Sequence, residues 1–358
     1  MTDLASSWTN AGAVLTVHRW VTVIGGLLLA CTVVLMLCLQ FGATSVGVGT
    51  VATAIAHMVR GVEADSTSLG TSEIIMVQIR FPRVLMGFLV GASLAAVGVT
   101  LQALLRNPLA DPYVLGVSSG SALGVSVGIL FGIGSTLMLL PMLPLFGFAG
   151  GLLALLLIYR LAQSKGRLPI HSLLLAGVIL NAILTAFIMF ITSIMEPNRS
   201  AGLMAWLMGS LTAPNYQALG IFLLYVVFVL VILMHKAQSL NMLTLGEETA
   251  RSLGVETEGI KKRLFALTAL LTGAIVSVSG MIGFVGMVVP HAVRLVIGSD
   301  HRLLLPASAL VGGMFLAVAD TIARTIMAPA EIPVGIVTAL TGGPFFLYLL
   351  LWRKDRMV

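Results

Sequence analysis

The chain has 358 residues, of which 58% are hydrophobic and only 9% charged. Ordinary soluble domains carry about 25% charged residues, so a water-soluble fold is excluded. The 38 glycines and 13 prolines suit membrane helices, and the net charge of +6 fits basic loops that set membrane orientation rather than a nucleic-acid partner.

Charge-free intervals mark the spans, because a crossing needs about 20 apolar residues to cover roughly 30 Å of hydrocarbon. Trp20 to about Phe41 is the first. It is long and no small-residue cleavage site follows it, so a retained helix is expected rather than a signal peptide. Its two cysteines, Cys31 and Cys38, lie about 10 Å apart along a helix, too far for a disulfide. The second span, Val84 to Leu105, is bounded by Arg80-Phe81-Pro82-Arg83 and by the turn Arg106-Asn107-Pro108-Leu109-Ala110-Asp111-Pro112. Tyr113 to Tyr159 is too long for one helix, and Pro141 and Pro144 divide it into a third and a fourth span. Leu168 to Met195 is the fifth. Ser200 to His235 holds a short segment and then the sixth, from about Tyr216. Leu264 to Val293 breaks near Gly283-Phe284-Val285-Gly286 into a seventh and a shorter eighth. Leu303 to about Ile326 is the ninth and Ile332 to Trp352 the tenth. The expected architecture is an all-α polytopic membrane protein of about ten transmembrane helices, one domain over residues 1–358.

Glycines punctuate the third span at Gly116, Gly120, Gly124, Gly128 and Gly132, and the second at Gly87 and Gly91. Small residues every fourth position let helix backbones approach closely, so packing is the expected role.

Ten crossings place both termini on one side. That side collects Arg19, Arg106, Arg160, Lys165, Arg167, Lys236, Arg251, Lys261, Lys262, Arg263, Arg302, Arg353, Lys354 and Arg356, against Arg60, Arg80, Arg83, Arg199 and Arg324 on the other. The richer side is cytoplasmic by the positive-inside rule.

One segment is dense in charge. Residues 238–263, on the cytoplasmic side, include Leu245, Glu247, Glu248, Arg251, Leu253 and Gly254. A short amphipathic helix over Glu247–Arg251, a stop at Gly254 and a helix resuming at Thr257 are expected. The segment reads either as a docking knob or as an ordinary charged loop.

Enzymatic constellations do not occur. None of the five lysines follows a glycine, so a phosphate-cradling GxxxxGK[ST] loop does not occur. HExxH, CxxC and GxSxG are likewise missing, the six histidines are scattered, and no metal site or cofactor is expected. Asp320 and Arg324 stand i, i+4 and are expected to pair. An ion-coupled secondary transporter would hold an unpaired acid within a span.

The run from Arg80 to Gly124, the block Gly283–Gly313, the block Ala319–Leu350 and the stretch LGEETARSLGV at Leu245–Val255 together resemble the FecCD-type permeases of ABC importers for iron-siderophores, haem and vitamin B12. The resemblance implies a type II ABC importer-like permease, not itself an enzyme. It implies a homodimer with the path on its axis, two cytoplasmic ATPase subunits, a periplasmic substrate-binding protein and a bacterial inner-membrane location. Arg80, Arg83 and Arg324 match arginines that meet the binding protein; without the resemblance, Arg80 and Arg83 read as interfacial anchors. Leu245, Glu247, Glu248, Arg251, Leu253 and Gly254 fall in the ATPase-coupling loop. Asn107, Leu109, Ile170 and His171 fall at the cytoplasmic gate, and Asn181 on the path-lining fifth span. Some relatives carry small hydroxyl residues where Ile170 and His171 stand here. Against this stands the ion-coupled secondary transporter acting alone.

Overall fold

The computed structural model describes residues 15–42 and 70–354, apart from 134–135, 138–139, 165 and 213–214, together with positions 47, 49, 51 and 53. Arg60, Lys165 and Arg356, used above to assign sidedness, lie outside these residues.

The chain runs through α1 (Val17–Gln40), α2 (Thr71–Ile75) and α3 (Phe81–Leu104), the last two joined by a π-helical turn at Met76–Arg80. A 3₁₀ turn at Pro112–Leu115 leads into α4 (Val117–Leu130). Strands β1 (Thr136–Leu137) and β2 (Leu140–Pro141) form a small antiparallel hairpin with Thr136 opposite Pro141. Then follow α5 (Met142–Ala162), α6 (Ile170–Ile194), α7 (Pro197–Leu207), α8 (Tyr216–His235), α9 (Ala237–Thr244) and α10 (Glu247–Ser252). The last four helices are α11 (Thr257–Ser279), α12 (Val285–Ile297), α13 (His301–Thr325) and α14 (Val334–Lys354).

Among the described residues, seven helices are long and apolar enough to cross a bilayer: α1, α2–α3 as one, α5, α6, α8, α11 and α13. Three shorter apolar helices, α4, α12 and the Val334–Tyr348 part of α14, accompany them. At 1.5 Å per residue α4 is about 21 Å long and α12 about 20 Å, short of a full crossing. Each begins inside the bundle. Gly116, the N-cap of α4, packs against Gly177 and Asn181 of α6, and Gly286 of α12 against Leu94 and Pro112.

The second span departs from the expected boundary. The helix does not begin at the arginines but runs continuously from Ser72 to Leu104, 33 residues. Pro82 lacks an N–H and would break a regular helix. The π-turn absorbs this: the Phe81 N–H bonds to the Met76 carbonyl, one residue further back than in an α-helix. The Val77 carbonyl, which Pro82 cannot serve in that register, accepts the Tyr216 hydroxyl from α8 instead. The break between the seventh and eighth spans lies at Gly280–Phe284, slightly earlier than expected.

The core is built around α3, buried along nearly its whole length. Its glycines set the spacing. A Cβ on Gly91 would collide with the Gly312 carbonyl of α13, and one on Gly98 with the Gly286 carbonyl of α12. Gly120 and Gly124 of α4 meet Gly150 and Phe146 of α5 in the same way. The expected packing role thus holds for these positions. Gly116 and Gly132, with φ of 78° and 66°, instead mark the ends of α4, where a left-handed residue is required. Cys31 and Cys38 are free and buried, packing side chains of α1.

Candidate functional site

The predicted site residues fall at two ends of the bundle and between them. One end carries α9 and α10 and is called the knob end; the other carries Arg80, Arg83 and Arg324.

At the arginine end, α1 stops at Gln40 and leaves its last carbonyls without helical partners, with partial negative charge. Two guanidinium groups meet them. Arg80 Nη1 donates to the carbonyls of Leu39 and Gln40 at 3.2 and 3.1 Å, and Arg324 Nη2 to that of Cys38 at 2.7 Å. Arg80 is 3% and Arg324 6% exposed, so both lie inside the protein rather than anchoring at its surface. Arg83 forks onto Asp320 through Nε and Nη2 at 3.0–3.3 Å, while its Nη1 reaches Glu331 at 2.9 Å. Asp320 is therefore held chiefly by Arg83, from another helix; Arg324 Nε stands 3.8 Å away. Of the three arginines, Arg83 alone has a surface-exposed carboxylate partner among the described residues, since the Glu331 side chain is largely in the open.

Midway along α6, Asn181 accepts a hydrogen bond from the Ser119 hydroxyl of α4. Together they line a cavity of about 390 Å³ with Tyr113, Thr185, Met189 and Met281. The lining mixes hydroxyls, thioethers and aliphatic carbon, without a charge. Tyr113, which sequence reasoning did not single out, accepts the Ile282 N–H on its hydroxyl oxygen at 2.5 Å in the wall of the same cavity.

The gate residues sit where α3 ends and α6 begins. The Asn107 N–H bonds to the Gln102 carbonyl and the Arg106 N–H to that of Ala103, at 3.1 and 3.3 Å. This closes the helix in a Schellman motif with Arg106, φ 48°, in the position glycine usually takes. The Asn107 Oδ1 then accepts the Leu109 N–H at 2.9 Å, turning the chain and leaving Leu109 exposed. Pro169 precedes α6, so Ile170 and His171 open that helix, His171 on its exposed side. Arg106, Arg167 and Pro169 border one cavity of about 680 Å³ with Leu245, Gly246 and Glu247. The gate turn and the knob therefore share a wall.

The knob follows the expected plan. The Val255 N–H bonds to the Ala250 carbonyl and the Gly254 N–H to that of Arg251, at 3.0 and 2.9 Å, ending α10 with Gly254 at φ 83°. Ala250 is the buried anchor, whereas Leu245 is 64% and Leu253 57% exposed. Two large apolar side chains thus stand in the open beside charged groups at this end. Glu248 lies on the outer side. Glu247 and the exposed Arg251 join a cluster that sequence reasoning missed: Lys261 contacts Glu247 at 3.0 Å and Glu258 at 2.7 Å, and Arg251 contacts Glu258 at 3.4 Å. The i, i+3 spacing of Glu258 and Lys261 and the i, i+4 spacing of Glu247 and Arg251 are the sequence signals it left. Nearby, Asp300 caps α13. Hydrogen bonds from Arg302, then from Asn241 of α9, hold its carboxyl down at about 2.

The chain matches the FecCD transport family over residues 20–352. It is 44% identical to the cobalamin import system permease protein of Halobacterium salinarum, over 80% of this chain and 76% of that one. It is 42% identical to the hemin transport system permease protein of Yersinia pestis, over 79% and 84%. A solved inward-facing structure of a metal-chelate type ABC transporter superposes with a TM-score of 0.77 at 30% identity, covering 93% of this chain and 99% of that one. The sequence match, the relatives and the bundle agree, and the chain belongs to the FecCD transport family of membrane permeases.

Proposed function

We propose that this chain is the permease subunit of a binding-protein-dependent ABC importer, moving an iron-siderophore, haem or corrinoid across a bacterial inner membrane by ATP-driven alternating access. Two copies form the path, two ATPase subunits dock at the knob ends, and a periplasmic binding protein docks at the arginine end. Both termini are cytoplasmic. The observation that carries this reading is the knob: Leu245 and Leu253 stand exposed at either end of the short helix α10, which is ion-paired to the start of α11 and shares a cavity with the gate turn. Such an arrangement suits receipt of force from a separate motor. The uncharged cavity beside Asn181 suits bulky cargo that must leave as readily as it enters.

Docking at the arginine end narrows to Arg83. Arg80 and Arg324 are engaged with the end of α1, and among the described residues it is Arg83 whose exposed partner, Glu331, could be exchanged for a partner carboxylate. The two relatives at 44% and 42% identity carry different cargo names, so cargo is assigned no further than the metal-chelate class.

The ion-coupled secondary transporter has little to stand on. The buried acid of α13, Asp320, is already paired with Arg83 near the helix end. Reconstitution decides between the two. Uptake into proteoliposomes is expected only when the ATPase subunits, the binding protein and ATP are all present. Gradient-driven uptake by this chain alone would overturn the importer reading.

A further inference from the structure

The loop between α5 and α6 is held by the knob in an unusual way. Its tip is a tight turn in which Ser164 and Arg167 exchange backbone hydrogen bonds at 3.0 and 2.9 Å. Beyond it, both backbone groups of Leu168 are taken by side chains of α11. The Leu168 N–H donates to Glu258 Oε2 at 3.0 Å, and Lys261 Nζ donates to the Leu168 carbonyl at 3.4 Å. The Leu168 side chain is itself buried. Lys262 Nζ adds a bond to the Gly166 carbonyl at 2.7 Å. The same Lys261 ammonium is buried and reaches Glu247, the first residue of α10, at 3.0 Å. The other charges facing this pair are those of Arg251, 3.4 Å from Glu258 and 3.9 Å from Glu247. After Leu168 come only Pro169 and then the gate residues Ile170 and His171.

We propose that Glu258 and Lys261 are positioning residues that clamp Leu168 and so transmit displacement of the α10 knob directly to the gate end of α6. This rests on the reading of the knob as the ATPase contact. The Lys261 ammonium is buried while its carboxylates are partly exposed, so parting them leaves an uncompensated positive charge in the interior. Here the pair spans three segments: Glu247 on α10, the first turn of α11, and the backbone of Leu168. The polarity is specific. An N–H needs the carboxylate and a carbonyl needs the ammonium, so the clamp cannot be reversed while the ion pair can.

That asymmetry supplies the test. In the complete transporter, reconstituted with its ATPase and binding protein, Lys261→Met is expected to lower cargo moved per ATP hydrolysed about tenfold, a usual size for coupling between sites. The exchanged double variant Glu258→Lys with Lys261→Glu keeps one ion pair but presents the wrong charge to each Leu168 group. It also sets like charges against Glu247 and Arg251, so it is expected to recover neither thermal stability nor the cargo-to-ATP ratio, whereas Lys261→Arg, which keeps a donor for the Leu168 carbonyl and a partner for Glu247, is expected to retain the ratio. Recovery of that ratio by the exchanged variant, or an unchanged ratio in Lys261→Met, would overturn the proposal. Should neither variant assemble, spin labels at the exposed positions 164 and 252 of the parent decide it. A label-to-label distance that stays constant on ATP trapping supports the clamp; a changed one removes it. If the parent transports without hydrolysing ATP, the importer reading fails instead, and the two failures are distinct.

Discussion

Asp320 and Glu331 grip the same guanidinium from opposite surroundings, one buried and one exposed. Removing the buried partner strands a charge: Asp320→Ala is expected to cost about 3–5 kcal/mol, seen as a lower melting temperature in detergent. Glu331→Ala is expected to cost no more than about 1 kcal/mol, as for exposed pairs. The same exposed contact bears on docking. Glu331→Gln frees Arg83 Nη1 for a partner carboxylate, so titration with the binding protein should show tighter capture, whereas Arg83→Gln should weaken it. A change of Arg324 to glutamate is unsuited to this question, since it would place an acid beside the carbonyl of Cys38.

Helix contacts turn on positions where a single methyl decides the distance. Gly98→Ala would drive a Cβ into the Gly286 backbone, while Gly25 and Gly26 of α1 face open space. Gly98→Ala is expected to abolish recovery of folded protein on gel filtration, and Gly25→Ala to leave it intact. At the knob, Gly254 has nothing within 4 Å but a φ of 83°. Gly254→Val therefore strains only the turn, and is expected to reduce uptake per ATP while the complex still assembles. The cap of α13 responds to acid. The Asp300 carboxyl is held near 2, below its usual 3.8, so its stabilisation is full above about pH 4 and fades as pH falls toward 2. Melting curves of the parent and Asp300→Asn should differ at pH 7 and converge only as pH falls to about 2.

These elements also mark how far the sequence could be read. Charge-free intervals gave the spans because lipid tolerates little else, and the knob announced itself by charge density. Gly254 foretold its own turn. The passage of the second span through Pro82 was hidden, because the group that rescues the Val77 carbonyl is Tyr216, on α8. Burial of Arg80 and Arg324 was hidden for a similar reason. Their acceptors are main-chain carbonyls, which carry no residue signature. Asp320 had a plausible local partner in Arg324, and a distant one, Arg83, prevailed through its two-pronged geometry.

On the scale of the whole molecule, two short helices starting inside the bundle leave irregular backbone at depth. Such backbone is tolerated in membranes only where protein or a water-lined cavity covers it. The Tyr113–Ile282 bond and the cavity beside Asn181 lie at that place. The knob, the shared cavity at the gate and this uncharged interior are thus arranged from one end of α6 to its middle.

The first helix offers a last consequence. Few of its side chains are buried, and it is pegged at its ends: Arg19 and Trp20 bond the carbonyls of Ile297 and Arg302, and Arg80 and Arg324 hold its opposite tip. Three of those four attachments reach across 278 to 286 residues of chain. The first helix is therefore seated at both ends only once α12 and α13 have packed beside it.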